Sequence, residues 1–438
     1  MPRPTVSEFT AEARGWLDSN AKRRHDSSAD AADDWGVGEF SVAVFHALSF
    51  EQEQGLLNEI TGWHRKKAER GYHSITGSPE YGGLGLTKEY ARTFSKLESE
   101  YETPTRHETF SVTTGLIAPT IAKFGTPEQK AKFVAMFLKT EALCCQLFSE
   151  PGAGSDLASL ACRATRDGDE WVINGQKVWS SGAQFSQWGE LIARTDPDVA
   201  KHRGMTAFMV PMDRPGVEIR PIKQMSGGSS FNEVFFNDVR LPDSLRLGDV
   251  GDGWNVALTT LGFERDHSDI GGGGSRPGGT WSKLLATARA LDRMADPAVR
   301  DQLARMYTHM RIEGMVNRRA ADLRASGAPA GPEGSLGKLI WTEGMNRMSN
   351  AVTTVLGPRL VADTGEWAPT PGASTCSEHP ATALPAVPTR CSATSSANGC
   401  SAYPPNRAST RIFRGGTRRA EARADMLTGR VAPRPARW

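Results

Sequence analysis

Between Gln146 and Asp156 the chain reads Gln146-Leu147-Phe148-Ser149-Glu150-Pro151-Gly152-Ala153-Gly154-Ser155-Asp156. A second polar stretch follows, Ile173-Asn174-Gly175-Gln176-Lys177-Val178-Trp179-Ser180-Ser181-Gly182. Glycine-rich turns let backbone N–H groups come close to a phosphate or to the edge of a flat cofactor ring. The hydroxyls of Ser149, Ser155 and Ser181 can bond ring and pyrophosphate atoms, and the Trp179 indole can pack on a ring and exclude water. A third candidate is Thr259-Thr260-Leu261-Gly262-Phe263-Glu264-Arg265, where a carboxylate adjoins a guanidinium. A placed carboxylate can act as a general base. Each feature alone has an ordinary reading: a loop, a core tryptophan, and an ion pair on a helix.

Three kinds of element must position these residues. Residues 5–140 read as helices, with apolar positions at helical spacing in the stretches that begin at Leu48 and at Thr126, and Thr126-Pro127-Glu128 predicts an N-cap followed by proline at the first helical position. From Leu143 to Gly248 the pattern changes to short β runs punctuated by Gly, Pro, Asn and Asp. After Gly253 helical spacing returns, and the stretches at 284–325 and 336–360 predict antiparallel helices of a bundle. The expected segments are 1–142 (α-helical), 143–248 (β), 249–367 (helical bundle) and a tail at 368–438. The Gly-rich patch Gly271–Gly279 reads as a flexible interruption between helices.

The chain has 438 residues, 38% hydrophobic and 23% charged, which predicts two or three globular domains. Its 52 basic and 50 acidic residues give a net charge of +2, no reason to expect nucleic acid or a membrane surface as partner of the whole chain. That balance conceals a split. From Ala368 to Trp438 there are 10 Arg, no Lys and 3 acids, a net +7, leaving a net −5 on the first 367 residues. In that tail 48 of 71 residues are Ala, Pro, Ser, Thr or Arg, a bias that cannot supply a packed core and predicts disorder. The six cysteines show no CxxC and no His/Cys spacing for a metal, and Cys144 and Cys145 are adjacent, so a reducing compartment fits best. No apolar run reaches membrane-span length and the N-terminus has no signal-peptide core, so a cytoplasmic protein is expected.

The two polar stretches together, in this order, resemble the acyl-CoA dehydrogenase family. The resemblance covers residues 30–367 and includes Glu80-Tyr81-Gly82-Gly83-Leu84-Gly85 and Phe231-Asn232-Glu233-Val234-Phe235-Phe236. It implies an α-helical N-terminal domain, a β-barrel-like middle domain and a C-terminal α-helical bundle. It further implies FAD, an acyl-CoA substrate, α,β-dehydrogenation to a trans-2-enoyl-CoA, and electron-transfer flavoprotein as acceptor. Carried onto this sequence, the flavin-binding positions are Gln146, Leu147, Phe148, Ser149, Gly154, Ser155, Trp179, Ser180 and Ser181. The catalytic base is Glu264, on the first helix of the C-terminal domain. Ser155 and Arg265 are the substrate-binding positions. No metal is implied, and a homo- or hetero-oligomer is expected, without nucleic acid or membrane as partner.

Two departures stand out. The Arg-x-x-Phe-Gly stretch that many homotetrameric members use on a neighbouring subunit's FAD is replaced by Met306-Tyr307-Thr308-His309-Met310-Arg311-Ile312. A divergent or heteromeric bacterial subfamily fits this, including a non-catalytic partner subunit. The family's C-terminal helix and its preceding Gly-Gly-Thr flavin loop are also missing from the chain. Read one base out of register with free synonymous choice, the codons of 368–405 can encode an ending with that loop and helix. We therefore expect that one base was lost just after Trp367. The recovered loop has glycine where members with a late base have glutamate, which agrees with Glu264 as base. Loss of the last helix predicts exposed apolar surface at Ile340, Trp341, Val352 and Val355, provided those residues face it.

Overall fold

The computed structural model describes residues 3–24, 48–104, 107–224, 228–265, 281–326 and 333–360. The Gly271–Gly279 patch and the 368–438 tail lie outside the described residues, as does the Arg265 side chain.

The N-terminal helices begin where short polar side chains satisfy the first backbone N–H groups. Helix α1 (Val6–Asn20) has a capping box between Thr5 and Glu8, and α2 (Phe50–Ala68) has one between Ser49 and Gln52. Helix α3 (Lys88–Glu98) packs with both around Phe9, Trp63, Tyr72, Tyr90 and Phe94. Lys22–Arg23 (β1) and Tyr101–Glu102 (β2) make a two-stranded antiparallel ladder against this helical segment. Helix α4 (108–124) is π-helical over Val112–Ile117, and α5 (127–138) over Lys130–Val134. The expected cap is present: Thr126 Oγ1 accepts from the Gln129 N–H at 3.2 Å and Gln129 Oε1 accepts from the Thr126 N–H at 3.0 Å. The Gln129 amide then donates to the carbonyls of Ser244 and Arg246, at 2.8 and 2.7 Å, tying α5 to the β segment.

That segment is one bent sheet. Its strands are β3 (Cys144–Leu147), β4 (Arg163–Asp167), β5 (Glu170–Lys177), β6 (Trp188–Arg194), β7 (Met205–Pro211), β8 (Val217–Ile222), β9 (Phe231–Pro242) and β10 (Arg246–Leu247). The order is β10-β7-β6-β4-β5-β9-β8, with β3 also on β6. Strand β6 carries two partners along one edge, β3 over Trp188–Leu191 and β4 at Arg194, both parallel to it. The ladder of β5 and β9 slips at Ile173/Gly175, where Gly175 has φ +147° and a Cβ would lie 2.7 Å from Cys162 Cα. Such a bulge bends the strand and adds twist. Strands β3 and β4 escape the sequence pattern because the first is four residues long and the second is Arg-Ala-Thr-Arg-Asp, largely charged.

Helices α6 (Gly253–Arg265), α7 (Trp281–Ala290), α8 (Pro297–Ala325) and α9 (Glu333–Leu356) follow. The expected antiparallel pair is α8 with α9: His309 Nε2 is 2.9 Å from the Ile340 carbonyl, and Asn317 lies beside Gly337. Val256 and Ala257 of α6 belong to the core shared by α4, α5 and the sheet, so α6 is anchored on the site's side of the molecule. The exposed apolar face differs from expectation. Val352 and Val355 are buried against Leu284, Ala288 and Leu303, while Leu336, Leu339, Ile312 and Met315 are the exposed residues. Helix α9 is turned so that its Val352/Val355 stripe faces α7 and α8.

Candidate active site

The Glu150–Asp156 turn is shaped from beneath by one buried ion pair. Lys177 Nζ, at the end of β5 and without solvent exposure, donates to Glu150 Oε1 at 2.7 Å and to the Phe148 carbonyl at 3.0 Å. Glu150 Oε1 also accepts from the Cys162 N–H (2.9 Å), and Oε2 accepts from the Ala161 N–H (2.6 Å). Charge-assisted bonds of this kind fix the direction in which the turn leaves β3. Gly154 and Ser155 lie at the outer rim, Ser155 exposed, and Asp156 is held by Lys201 at 2.7 Å. Lys201 and then Ser159 keep the Asp156 carboxyl below its ordinary value.

The second stretch crosses the first. The Val178 N–H donates to the Ser149 carbonyl at 2.9 Å, and Ser180 exchanges backbone bonds with Asn232 at the start of β9. Trp179 has φ +63°, a left-handed conformation that a bulky residue rarely adopts. Strain of this sort persists only where the surroundings enforce it, and it gathers at functional sites. The half-buried indole meets Phe231 edge-to-face with ring centroids 5.9 Å apart. Gly182, at φ +64°, brings the turn so close to α4 that a Cβ would lie 2.1 Å from Thr109 Oγ1.

Around this crossing are buried polar atoms without a protein partner: Gln146 Nε2, Ser180 Oγ, Ser230 Oγ, Asn232 Oδ1 and Thr109 Oγ1. Buried polar groups are nearly always bonded, so orphans gathered in one place mark where a polar ligand would complete them. The set offers an amide donor at Gln146, an amide acceptor at Asn232 and three hydroxyls able to do either, so the residues fit the mixed donors and acceptors on the edge of a flavin such as FAD. Ser149 is buried behind them and Ser181 half-buried beside them. The Leu147 and Phe148 side chains point elsewhere, into the core; Leu147 fills the space a side chain at Gly189 would need. Thr109, Ser230 and Asn232 are members that sequence reasoning missed; only Asn232 lies within a stretch that resembles the family.

Two carboxylates lie near Thr109 in the chain or in space: its neighbour Glu108 and, by its charge on Glu108, Glu264. Glu264, near the end of α6, accepts from Lys338 Nζ of α9 at 2.5 Å, and both are half-buried. Glu108, the neighbour of Thr109 and the first residue of α4, feels both of them. Burial, then the like charge of Glu264, pushes the Glu108 carboxyl up to about 7, and Lys338 opposes this. Much of the Glu108 surface is reachable by water even though protein crowds its carboxyl. His107, the N-cap before it, accepts from the Thr109 N–H at Nδ1, so Nε2 carries the proton toward Glu53 Oε1 at 2.8 Å. Neither Glu108 nor Lys338 carries a sequence motif; they come together by packing of α4, α6 and α9.

Comparison with known proteins agrees with this architecture. Residues 42–141, 145–239 and 251–370 match the N-terminal, middle and C-terminal domains of acyl-CoA dehydrogenase. The chain is 36% identical over 364 residues to acyl-CoA dehydrogenase IpdE1 of Mycobacterium tuberculosis, covering 83% of this chain and 89% of that protein. It is 32% identical over 257 residues to the human mitochondrial short-chain specific acyl-CoA dehydrogenase, covering 56% and 61%. Among solved structures, the Tcur3481-Tcur3483 steroid ACAD superposes with a TM-score of 0.61 at 27% identity, over 84% of this chain and 89% of that one. Butyryl-CoA dehydrogenase from Megasphaera elsdenii shares the fold, with a TM-score of 0.57 at 19% identity, over 83% and 90%. With all three domains present in order and a relative this similar along most of its length, the chain belongs to the acyl-CoA dehydrogenase family, a family of oxidoreductases.

Proposed function

We propose that the chain is an FAD-dependent acyl-CoA dehydrogenase that converts an acyl-CoA thioester to the trans-2-enoyl-CoA, with Glu264 as the base. One juxtaposition carries this reading: Thr109, one of the unpartnered polar atoms, adjoins Glu108, and Glu108 is near enough to Glu264 to feel its charge. Gln146, Ser180 and Thr109 would hold FAD along one edge, Ser149 and Ser181 would support it, and Gly154 and Ser155 would meet phosphate groups at the rim. FAD, when bound, supplies a two-electron acceptor for the β-hydrogen of the substrate. Glu264 takes the α-proton as that hydrogen leaves. Lys338 occupies Glu264 Oε1, which leaves Oε2 to receive the proton. Arg265, next to the base, would contact substrate, and Trp179 would shield the reacting face from water.

The direct test is oxygen-free bleaching of the purified yellow protein by a panel of acyl-CoA thioesters. The panel includes a steroid-derived one, because the structurally similar Tcur3481-Tcur3483 is a steroid ACAD. Bleaching is expected, and Glu264→Gln should slow it by roughly 10²- to 10⁴-fold. Unchanged bleaching in that variant excludes Glu264. A colourless protein supports instead a partner subunit of a heteromeric dehydrogenase. Electron-transfer flavoprotein is the proposed acceptor and the cytoplasm the proposed compartment; no described helix is long and apolar enough to cross a membrane.

A further inference from the structure

Behind the base lies a second buried carboxyl that the reaction does not use. Glu190 sits in the middle of β6 with no solvent exposure. Thr260 Oγ1, on α6, is 2.8 Å from Glu190 Oε1 and 3.0 Å from Thr120 Oγ1 of α4, and both threonines are fully buried. Each hydroxyl also lies within reach of its own helix, Thr120 at 2.8 Å from the Leu116 carbonyl and Thr260 at 3.2 Å from the Val256 carbonyl. A hydroxyl has one proton to give. Thr260 gives its proton to Glu190 Oε1, and Thr120 can then donate to Thr260. Burial pushes the Glu190 carboxyl up to about 8, and the bond from Thr260 opposes the rise.

The two ends of this arrangement are the two halves of the active site. Thr260 precedes Glu264 by one helical turn, on the same side of α6. Glu190 is paired in register with Gln146 of β3, so the two side chains stand on one face of the sheet. Glu190 Oε2 and Gln146 Nε2 are both without a partner. A buried acid in the middle of an otherwise apolar strand is costly unless its bond is useful.

We propose that Glu190 is a positioning residue for the reaction: through Thr260 it clamps helix α6, and with it Glu264, onto the strand that neighbours the flavin-binding Gln146. The inference rests on Glu264 being the base. Misplacement of a reacting group by about 1 Å can cost on the order of 100-fold in rate, which is the kind of loss the clamp prevents.

Glu190→Leu, Thr260→Val, their double variant and Glu190→Gln test it. The readouts are flavin content, thermal midpoint, and single-turnover bleaching rate against acyl-CoA concentration. Glu190→Leu and Thr260→Val should each slow bleaching by roughly 10- to 100-fold while flavin content and half-saturating acyl-CoA change by less than about threefold. The double variant should be no slower than the worse single one. Glu190→Gln, whose amide oxygen can accept from Thr260 at the same length, should recover the rate to within about threefold of the parent. Parental bleaching in Glu190→Leu, additive losses in the double variant, or failure of Glu190→Gln to recover would overturn the clamp. In a protein that does not bleach, the same cycle read in thermal midpoints decides: non-additive shifts support the clamp and additive shifts overturn it. If instead the base assignment is wrong, Glu264→Gln bleaches normally while the coupling between positions 190 and 260 persists.

Discussion

Lys177 shows how a single residue shapes the site without touching a ligand. Its ammonium is wholly buried, and the Glu150 carboxylate beside it is nearly so. Removing one member of such a pair strands the other charge, which costs roughly 3–5 kcal/mol, whereas replacing both by apolar groups is often close to neutral. Lys177→Met should therefore lower stability by about that amount in chemical denaturation and loosen flavin, and Lys177→Met/Glu150→Leu should recover most of the stability but not the flavin. Equal stability of the single and double variants would contradict this. Glu108 makes a pH-dependent prediction. Its folded value of about 7 lies above the ordinary 4.5, so the folded protein holds a proton that the unfolded chain releases. Stability contributed by that proton is complete below the ordinary value and is lost as pH rises through the folded one. Glu108→Gln should thus gain thermal stability relative to the parent as pH rises from about 5 to 8, and a difference independent of pH would remove Glu108 from this role. Only part of the site was legible in the sequence. Gln146–Asp156 and 173–182 are contiguous and announce themselves, but Glu108, Lys338 and Glu190 acquire meaning only when separate helices and strands meet.

Among the elements, the 179–182 turn does the most to join two parts of the site, because it fixes how near α4 approaches β9. Gly182 is indispensable there on two counts, its left-handed φ and the Thr109 hydroxyl 2.1 Å from where a Cβ would stand. Gly168 offers an internal control: it has φ +63° but nothing within 4 Å of its virtual Cβ. Gly168→Ala should cost only the left-handed penalty, about 1–2 kcal/mol, while Gly182→Ala should cost more and also release flavin. Equal costs for the two would mean that α4 yields readily, and the proposed contact of Thr109 with FAD would lose its basis. The same elements show what periodicity can read. Strands β5 to β9 alternate or run apolar and were legible, as was the α5 cap, whose Thr-Pro-Glu-Gln signature is local. Strand β3 was not, because a four-residue strand is shorter than the window in which a period can be seen, and the π turns of α4 and α5 leave no compositional trace.

For the whole molecule, the question is what covers α8 and α9. Leu339 and Met315 are each 64% exposed, with Ile312 and Leu336 near one half. Apolar residues repeated along two packed helices are uncommon on a free surface and usually mark an interface. The match to the family's C-terminal domain stops at residue 370, where the chain's composition changes to an Arg-rich one. We propose that a single base was lost just after Trp367, since the alternative frame of 368–405 can encode a family-like loop and final helix. Sequencing the gene across that codon tests the proposal directly, and an intact frame with unrelated codons would end it. The physical consequence is separable from the genetic one. If the restored helix covers this face, restored-frame protein should bind less of a hydrophobic dye, unfold at a higher temperature and retain more flavin than the chain with the Arg-rich tail, since a ligand that binds only the folded state adds to its stability. If dye binding is unchanged while flavin retention rises, the restored loop supports the cofactor but the α8/α9 face is covered by something else, and a second subunit becomes the occupant to seek.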